Sequence, residues 1–328
     1  MIGLALVGAG RMGATHLRAL PRTRGVQLRA ICDPSPAARS LGAGAGVPVD
    51  AELARTLGRA DVDAVLIAAP TPLHEPLVAA ALAAGKHVLC EKPLTFDPVA
   101  DLRLAAAAER AGLFLHVGFW RRHAWPYREA RDLIASGAIG EPRLLRLAQW
   151  DAEPPPAAFC DPAVSGGIEV DCGVHECDLA AWLCGSPVVE AFARGAPTGG
   201  AIAAVGDVES LAGLLVLAAG QPIALDLART AAHTDIVRSE IVGAHGSLIC
   251  EAHGAGSLLV RQAAGQRQVV PPTDDVLLDA LARQIDALAG AVAGAPVPDA
   301  ALPCDATAAL RAAHALRESR TAGVPITV

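Results

Sequence analysis

A glycine-rich turn directly after the first apolar run restricts the fold of this chain more than any other feature. Gly8-Ala9-Gly10-Arg11-Met12-Gly13 follows the strand-like run Ile2–Val7 and opens a helix-like segment. Glycines there permit a tight turn, a close backbone approach to a pyrophosphate, and close packing of helix on strand. The N–H groups at the start of the helix attract phosphates. A plain glycine turn is the alternative, but the context predicts dinucleotide binding by Gly8, Gly10, Arg11, Met12 and Gly13.

An acidic residue at the end of the second strand indicates which dinucleotide is bound. Asp33 lies twenty residues after Gly13, the spacing expected for the residue that binds the adenosine ribose. A carboxylate accepts hydrogen bonds from both ribose hydroxyls and repels a 2′-phosphate, which favours NAD over NADP. Arg39 is the residue most able to reverse this preference for NAD over NADP. The alternative for Asp33 is a turn former before Pro34.

The first 120 residues alternate short apolar runs with helix-like segments. The predicted strands are Ile2–Val7, Leu28–Cys32, Ala64–Ala68, His87–Cys90 and Phe114–Val117, with helices such as Pro76–Ala84 and Pro98–Ala111 between them. Strands that alternate with helices predict a parallel, doubly wound sheet of the Rossmann type. Strands that are apolar nearly throughout are typical of a sheet covered on both faces. We therefore expect an α/β NAD-binding domain over residues 1–120.

The pattern changes after Phe119 and indicates a second domain over residues 121–328. Residues 120–137 are predicted as a helix, and residues 174–183 as a short one. The predicted strands are Arg143–Trp150, Val188–Ala193, Leu211–Leu217, Ile223–Leu227, Ser239–Val242, Ser247–Cys250 and Leu258–Arg261, with closing helices near Val276–Ala293 and Asp305–Thr321. Strands in succession predict a large, mostly antiparallel open sheet in an α+β domain. This domain is expected to bind substrate and to form the oligomer.

Charge and cysteine content exclude several classes of function. The formal net charge is −7 and no dense Lys/Arg cluster occurs, so we expect no nucleic acid partner. No apolar run approaches the length of a membrane span, and the first run is too short for a signal peptide, so a cytoplasmic protein is expected. The eight cysteines include no C-x-x-C pair; reduced thiols and no metal site are predicted.

Three polar segments carry a more specific resemblance. Ala69-Pro70-Thr71-Pro72-Leu73-His74 follows the third predicted strand, Glu91-Lys92-Pro93 follows the fourth, and Asp171-Cys172-Gly173-Val174-His175 comes later. The first two lie beyond the carboxyl ends of strands, where ligands bind in open α/β sheets. Together the segments resemble the Gfo/Idh/MocA oxidoreductases, and most closely inositol dehydrogenases. The resemblance runs almost end to end and includes Gly118–Arg122, Ser165–Gly167, Gly206-Asp207 and residues 312–323.

The resemblance implies that Lys92, Asp171 and His175 form the catalytic group. It also implies that the nicotinamide half of the cofactor lies near Pro70, Thr71, His74, Glu91 and Lys92. The chemistry independently suits these residue types, since a neutral histidine can take the proton of a secondary alcohol. A lysine ammonium stabilises a developing alkoxide. Four-residue spacing puts Asp171 and His175 about one turn apart if helical geometry begins at Asp171.

Each catalytic candidate has a structural alternative. Lys92 could be a solvated loop lysine, Asp171 a helix N-cap, and His175 a buried structural histidine. The substrate-binding candidates are Arg121, Asp151 and His233, together with Arg122 and His123; their alternatives are interdomain salt bridges and surface positions. Arg229-Thr230-Ala231-Ala232-His233 has His233 where similar enzymes commonly carry an aromatic residue. The stretch from Trp150 to Glu153 also departs from the family pattern, so the exact polyol stays open.

The expected activity is oxidation of a ring hydroxyl of an inositol-like polyol. The alternatives are an aldose dehydrogenase, a cofactor-binding regulator without turnover, and an NAD-dependent glycoside hydrolase. In this family the second-domain sheet typically mediates subunit pairing, and here one of its faces is expected to expose apolar side chains from Leu211–Leu217. Such a patch usually marks an interface. We expect a homodimer or homotetramer.

Overall fold

A computed structural model describes residues 1–196, 199–231 and 233–328. The described chain divides into two units. The first comprises Met1–His123 and Leu278–Thr307, and the second comprises Ala124–Leu277 and Ala308–Val328.

The first unit contains a six-stranded sheet in the order β3-β2-β1-β4-β5-β6, in which every neighbouring pair is parallel. Its strands are β1 (Ile2–Val7), β2 (Val26–Cys32), β3 (Val49–Asp50), β4 (Ala64–Ile67), β5 (His87–Glu91) and β6 (Leu115–Gly118). Its helices before residue 124 are α1 (Arg11–Ala19), α2 (Pro36–Ala45), α3 (Leu53–Leu57), α4 (His74–Ala83) and α5 (Pro98–Ala111), with 3-10 turns at Leu20–Arg22, Thr71–Leu73 and Trp120–His123. The predicted parallel Rossmann sheet is confirmed.

Local sequence signals account for the ends of α5. Asp97 caps its start by accepting a hydrogen bond from the Val99 N–H at 2.8 Å, and Pro98 occupies the first turn. Gly112 ends the helix in the left-handed conformation, with φ +66°, which glycine adopts without strain. The strand β3 was not predicted, because two residues are too few to show a pattern of apolar and polar side chains. Its pairing with Ile31 and Cys32 of β2 defines it.

A segment late in the chain returns to the core of the first unit. Helix α12 (Val276–Val292) contributes Ile285, Leu288 and Ala289 to an apolar cluster that also contains residues of β1, β2 and β4. The Asp286 carboxylate on the same helix accepts hydrogen bonds from the Arg24 and Gly25 N–H groups. The predicted contiguous domain over residues 121–328 therefore differs from the structure, because residues 278–307 pack with the first sheet.

The second unit contains a nine-stranded sheet in the order β14-β13-β12-β11-β7-β10-β9-β8-β15. Its strands are β7 (Pro142–Trp150), β8 (Val188–Ala196), β9 (Ser210–Leu217), β10 (Pro222–Ala228), β11 (Ile236–Gly243), β12 (Gly246–Glu251), β13 (Ser257–Gln262), β14 (Gly265–Val269) and β15 (Ile326–Thr327). Neighbours are antiparallel except β7 and β10, which run parallel. The predicted mostly antiparallel sheet is confirmed.

The remaining helices are α6 (Trp125–Ala135), α7 (Ala157–Cys160), α8 (Pro162–Ser165), α9 (Ile168–Asp171), α10 (Gly173–Cys184), α11 (Gly200–Ala204) and α13 (Pro303–Ala322). Helix α10 packs against β7, β8 and β10 of the second sheet. The single helix predicted over residues 120–137 is wrong. A 3-10 turn ends at His123, and α6 begins anew because Pro126 in its first turn cannot continue an earlier helix.

The two faces of the second sheet differ in burial. On the inner face, side chains such as those of Leu145, Ile223 and Ile241 are fully buried. On the outer face, Leu144 and Val242 lie opposite each other on neighbouring strands and are 41% and 43% exposed. The outer face therefore presents apolar side chains, although the predicted run 211–217 contributes mainly Leu214 because Leu211, Leu215 and Leu217 point inward.

All eight cysteines lie in the described ranges, and none is in a disulfide. Among the described residues, no group of three or more histidine, cysteine or acidic side chains is arranged to hold a metal ion. No helix in the described ranges combines the length and apolar character needed to cross a membrane.

Substitution of Ile285 tests the return of α12 to the first core. We expect Ile285→Ala to lower the free energy of unfolding by about 2–5 kcal/mol, because it removes a fully buried side chain and leaves a cavity. Urea denaturation measures this change. The control Leu302→Ala truncates a side chain that is 41% exposed in the same segment. Equal, small losses in both variants would contradict the packing described.

Candidate active site

The glycine loop Gly8–Gly13 leaves space for a cofactor on one side and packs against protein on the other. Gly8 has φ +92°, and a Cβ there would lie 2.7 Å from the Ala68 carbonyl oxygen. A Cβ on Gly13 would collide with the Gly8 carbonyl oxygen, whereas one on Gly10 would have no atom within 4 Å. Helix α1 starts at Arg11 without a side-chain cap, so its first N–H groups can bind phosphate. The loop fits a dinucleotide pyrophosphate.

Asp33 is fixed beside this loop by backbone hydrogen bonds. Its Oδ2 accepts the Ala9 N–H at 2.7 Å and its Oδ1 accepts the Ser35 N–H at 2.8 Å. Burial alone would raise the pKa of Asp33, but hydrogen bonds from Ser35 and Ala9 lower it. Each oxygen keeps a second lone pair that can accept a ribose hydroxyl. Arg39 is exposed on α2.

Glu91, predicted to lie near the nicotinamide, has a buried partner within the protein. The Nε2 atom of His16 lies 2.7 Å from Glu91 Oε1, and both residues are buried. The Lys92 N–H also donates to Glu91 Oε2 at 3.2 Å. Burial would raise the pKa of Glu91, but His16 and Lys92 outweigh it and lower that pKa. The carboxylate thus braces the backbone at Lys92, and its cofactor role stays a prediction.

Sequence reasoning missed His16. The only available signal was its helical spacing with Gly13 and Ala19, which together with His16 form the buried side of α1. A polar residue on a buried helical face needs a hydrogen-bond partner. Nothing in the sequence identified that partner as Glu91, which lies 75 residues away along the chain.

His74 joins the loops that follow β4 and β5. Its Nδ1 lies 2.8 Å from the Pro93 carbonyl oxygen, and its Nε2 lies 2.9 Å from that of Ala69. Burial lowers the pKa of His74, although both carbonyls and Glu91 oppose this. A neutral imidazole donates from only one of these nitrogens, so His74 links the two loops through at least one carbonyl, and its cofactor role stays a prediction. Pro70 is exposed and Thr71 is partly exposed at the start of the 3-10 turn.

The segment after Lys92 is anchored by a buried carboxyl group. Lys92 itself is partly buried. Three residues later, the Thr95 hydroxyl donates to Asp101 Oδ1 at 2.7 Å. Burial raises the pKa of Asp101 to about 6, against the hydrogen bonds from Thr95. This contact ties the loop that carries Lys92 to helix α5.

In the second unit, Asp171 and His175 lie on consecutive short helices. Asp171 ends α9, and Cys172 keeps right-handed helical angles between α9 and α10. The His175 N–H donates to the Cys172 carbonyl at 3.1 Å. Asp171 and His175 therefore lie about one helical turn apart, as predicted. Cys172 occupies the N-cap position of α10, so the N-cap alternative for Asp171 does not apply.

Asp171 is paired with an arginine that sequence reasoning did not assign to the site. Arg229 follows strand β10, is fully buried, and donates from Nη1 to Asp171 Oδ2 at 2.8 Å. Its Nε donates to Asp207 Oδ2 at 3.0 Å. Burial opposes the charge of Arg229, but nearby Cys172, Asp171 and Asp207 hold its pKa above the ordinary value. The available signal was an arginine directly after an apolar strand.

Asp151 is a second carboxyl group near Asp171. The parallel pairing of β7 with β10 brings it beside Arg229, since the Asp151 N–H donates to the Ala228 carbonyl. Burial raises the pKa of Asp151, a hydrogen bond from Gln149 opposes this, and the charge of Asp171 raises it further. The Cys172 sulfur lies 3.8 Å from Asp151 Oδ2 and 4.0 Å from Asp171 Oδ2.

The other substrate-binding candidates lie in different surroundings. His233 is exposed, and its backbone φ of +97° lies in a region that residues other than glycine rarely adopt. A hydrogen bond of 2.7 Å from the Ala152 N–H to Asp235 Oδ1 fixes the loop that contains His233. Arg121 belongs to the first unit, is buried, and has its guanidinium carbon 5.8 Å from the Trp120 ring centroid. The second unit thus brings Asp151, Asp171 and the loop of His233 to one edge of its sheet.

Comparison with known proteins identifies the family. Residues 2–119 match the oxidoreductase family with an NAD-binding Rossmann fold, and residues 127–249 match the GFO/IDH/MocA C-terminal domain. The rhizopine catabolism protein MocA of Rhizobium meliloti is 33% identical over 316 residues, covering 96% of this chain and 94% of that protein. The chain belongs to the Gfo/Idh/MocA family. It is an oxidoreductase of that family with NAD as its cofactor, as predicted.

Two further relatives bear names that refer to inositols. An inositol 2-dehydrogenase of Rhizobium meliloti strain 1021 is 31% identical over 301 residues, covering 89% of this Gfo/Idh/MocA chain and 88% of that protein. The crystal structure of scyllo-inositol dehydrogenase from Lactobacillus casei, with bound NAD(H) and scyllo-inositol, has a TM-score of 0.84 and 27% identity. It covers 100% of this chain and 99% of that one. The predicted resemblance to inositol dehydrogenases is confirmed.

Asp101 makes the stability of the chain depend on pH. An aspartate in an unfolded chain titrates near about 3.9, whereas Asp101 keeps its proton to about pH 6 in the fold. The folded state therefore binds more protons in that window, and this contribution to stability is lost as the pH rises through about 6. Between about pH 4 and pH 8, we expect Asp101→Asn to gain up to roughly 3 kcal/mol relative to wild type.

Urea unfolding over a pH series measures this difference. Glu109→Gln alters an exposed acidic residue on the same helix α5 and serves as the matched control. A difference between Asp101→Asn and wild type that stays constant with pH would contradict the raised pKa.

Proposed function

We propose that this oxidoreductase oxidises a secondary ring hydroxyl of an inositol-like polyol to a ketone. The observation that carries the proposal is the arrangement in the second unit, where Asp171 and His175 lie one helical turn apart and Asp151 lies beside Asp171. Two carboxyl groups and a histidine close together suit a substrate with several hydroxyl groups. Relatives that match most of this chain are named as inositol dehydrogenases, which supports the same substrate class.

Oxidation of an alcohol removes a hydride from carbon and a proton from oxygen. Bound NAD supplies the hydride acceptor. His175 acts as the general base and takes the hydroxyl proton, since a neutral imidazole is suited to this near pH 7. Lys92 donates a hydrogen bond to the same oxygen and stabilises its developing negative charge. In the reverse direction His175 returns the proton.

The neighbouring polar residues hold the remaining hydroxyls of the substrate. The two carboxyl groups at this edge differ, because Asp171 faces an arginine whereas the pKa of Asp151 is raised. Both carboxyl groups can accept hydrogen bonds from substrate hydroxyl groups. Arg121 and His233 complete the proposed substrate contacts. The His233 ring can both donate and accept a hydrogen bond. Together these four side chains determine which inositol isomer binds.

The same proposal includes a homo-oligomer and a cytoplasmic location. Leu144, Leu214 and Val242 expose apolar surface on the outer face of the second sheet, which suits pairing with a second copy of the chain as a dimer or tetramer. Eight cysteines without a disulfide suit a reducing compartment.

An assay of NADH formation tests the proposed activity. With NAD and myo- or scyllo-inositol we expect turnover, and with NADP much less, since Asp33 repels a 2′-phosphate. Lys92→Ala and His175→Ala should each lower kcat/KM by about 10²-fold or more, because each removes a group that acts on the reacting hydroxyl. His245→Ala, at an exposed histidine, should leave it unchanged. Turnover of aldoses alone would overturn the inositol assignment, and tight NAD binding without any turnover would favour a regulator.

Placing a charge on the outer sheet face tests the oligomer. We expect Leu144→Glu to dissociate the wild-type dimer or tetramer, because a carboxylate in an apolar interface is desolvated without a partner. Sedimentation velocity measures the mass of each species. Val270→Glu places the same charge at an 84% exposed position outside the strands and should keep the wild-type mass. A monomeric wild type would contradict the proposal.

A further inference from the structure

The carboxylate of Asp171 is held from its buried side by Arg229. Arg229 has no exposed side-chain surface, whereas the Asp171 side chain keeps 17% of its surface exposed. The hydrogen bond from Nη1 to Asp171 Oδ2 is 2.8 Å long. This is a charge-assisted hydrogen bond, stronger than one between neutral groups. One side of Asp171 therefore faces solvent and the other faces a fixed cation.

Arg229 is itself fixed by Asp207. Asp207 Oδ2 accepts the hydrogen bond from Arg229 Nε at 3.0 Å, and Asp207 Oδ1 accepts the Ile168 N–H at 3.1 Å. Ile168 is the first residue of α9, and Asp171 is its last. The Arg229 network (Asp171, Arg229 and Asp207) thus holds both ends of one helical turn against the end of strand β10. The geometry restricts both the position and the orientation of the Asp171 carboxylate.

The charge balance of this network depends on Arg229. The charged and titratable groups near the network include Asp151 and Asp235, whose carboxylates are also negative when ionised. The thiols of Cys160 and Cys172 also interact electrostatically with Arg229. A buried carboxylate without a cation would shift its pKa upward and bind a proton. Arg229 supplies the cation that lies against both the Asp171 and the Asp207 carboxylates.

We propose that Arg229, held by Asp207, is a positioning residue that keeps Asp171 ionised and correctly oriented for catalysis. The inference rests on the proposed function, which places Asp171 among the groups that bind the substrate, one helical turn from the general base His175. It assigns proton transfer to His175 alone and makes Asp171 a permanent hydrogen-bond acceptor. Neither Arg229 nor Asp207 touches substrate in this assignment, so their effects pass through Asp171.

Titration of the Asp171 carboxyl by carbon-13 NMR tests the inference without substrate, with Asp171→Asn identifying the signal. In Arg229→Gln we expect the pKa of Asp171 to rise by about 1–3 units, because the adjacent cation is lost. Arg229→Lys keeps a charge and should restore much of the wild-type value. If Arg229→Gln alone fails to fold, Arg229→Gln combined with Asp207→Asn replaces it. This double variant removes the Arg229 cation together with the Asp207 carboxylate, so that Asp207 is not left buried without its partner.

Kinetics supply the second readout. In Arg229→Gln, the acidic limb of the plot of kcat/KM against pH should move to higher pH together with the pKa of Asp171, while NAD affinity stays unchanged. Once Asp171→Asn is present, Arg229→Lys should have little further effect on kcat, because both substitutions act through one carboxylate. Additive losses in the double variant would overturn the inference.

A partly buried ion pair to the same helix α9 provides the matched control. Arg320 donates to Glu169, which lies in α9 and is fully buried. Glu169→Gln combined with Arg320→Gln should alter stability but leave the Asp171 titration and the pH profile in place. If Arg229→Gln also leaves the Asp171 titration in place, the inference is overturned. A wild type that oxidises no polyol overturns the proposed function instead, since the titration is read without substrate.

Discussion

A buried guanidinium between two carboxylates is the interaction on which the second unit's site depends. Arg229 cannot lose either partner cheaply, since breaking a buried ion pair costs about 3–5 kcal/mol. Its contacts with Asp171 and Asp207 join strand β10 to both ends of α9. The placement of His175 follows, because α10 continues from α9 through one helical residue. A single interior charge thus determines where several polar groups at this edge lie.

The first unit supports its own polar residues in a related way. Glu91 is paired with His16, and His74 faces the carbonyls of Pro93 and Ala69. Glu91 also accepts the Lys92 N–H, and Pro93 directly follows Lys92, so these contacts support the loop that carries Lys92. In both units a buried polar side chain thus supports a residue assigned to chemistry: Glu91 accepts the Lys92 N–H, and Arg229 donates to Asp171. Such support restricts orientation to within small tolerances, which catalysis requires.

How well the sequence predicted each feature depended on the range of the interaction behind it. The apolar runs predicted strands β1 and β4 to β6 within two residues at each end, and the predicted helix Pro98–Ala111 has the same bounds as α5. Local periodicity and turn residues carry that information. The break between the 3-10 turn and α6 was missed although Pro126 signals it. Strand β3 was too short to show any pattern, and its pairing alone defines it.

The sequence by itself determined the dinucleotide loop, the acidic residue Asp33, the order of the two sheets and the family, because these reside in short motifs and periodic runs. Only the tertiary structure decided that residues 278–307 rejoin the first core, that His16 supports Glu91, and that Arg229 lies between Asp171 and Asp207. These contacts join residues far apart in the chain. Their pairing is selected by burial, since a polar or charged group removed from water must find a partner wherever the fold supplies one.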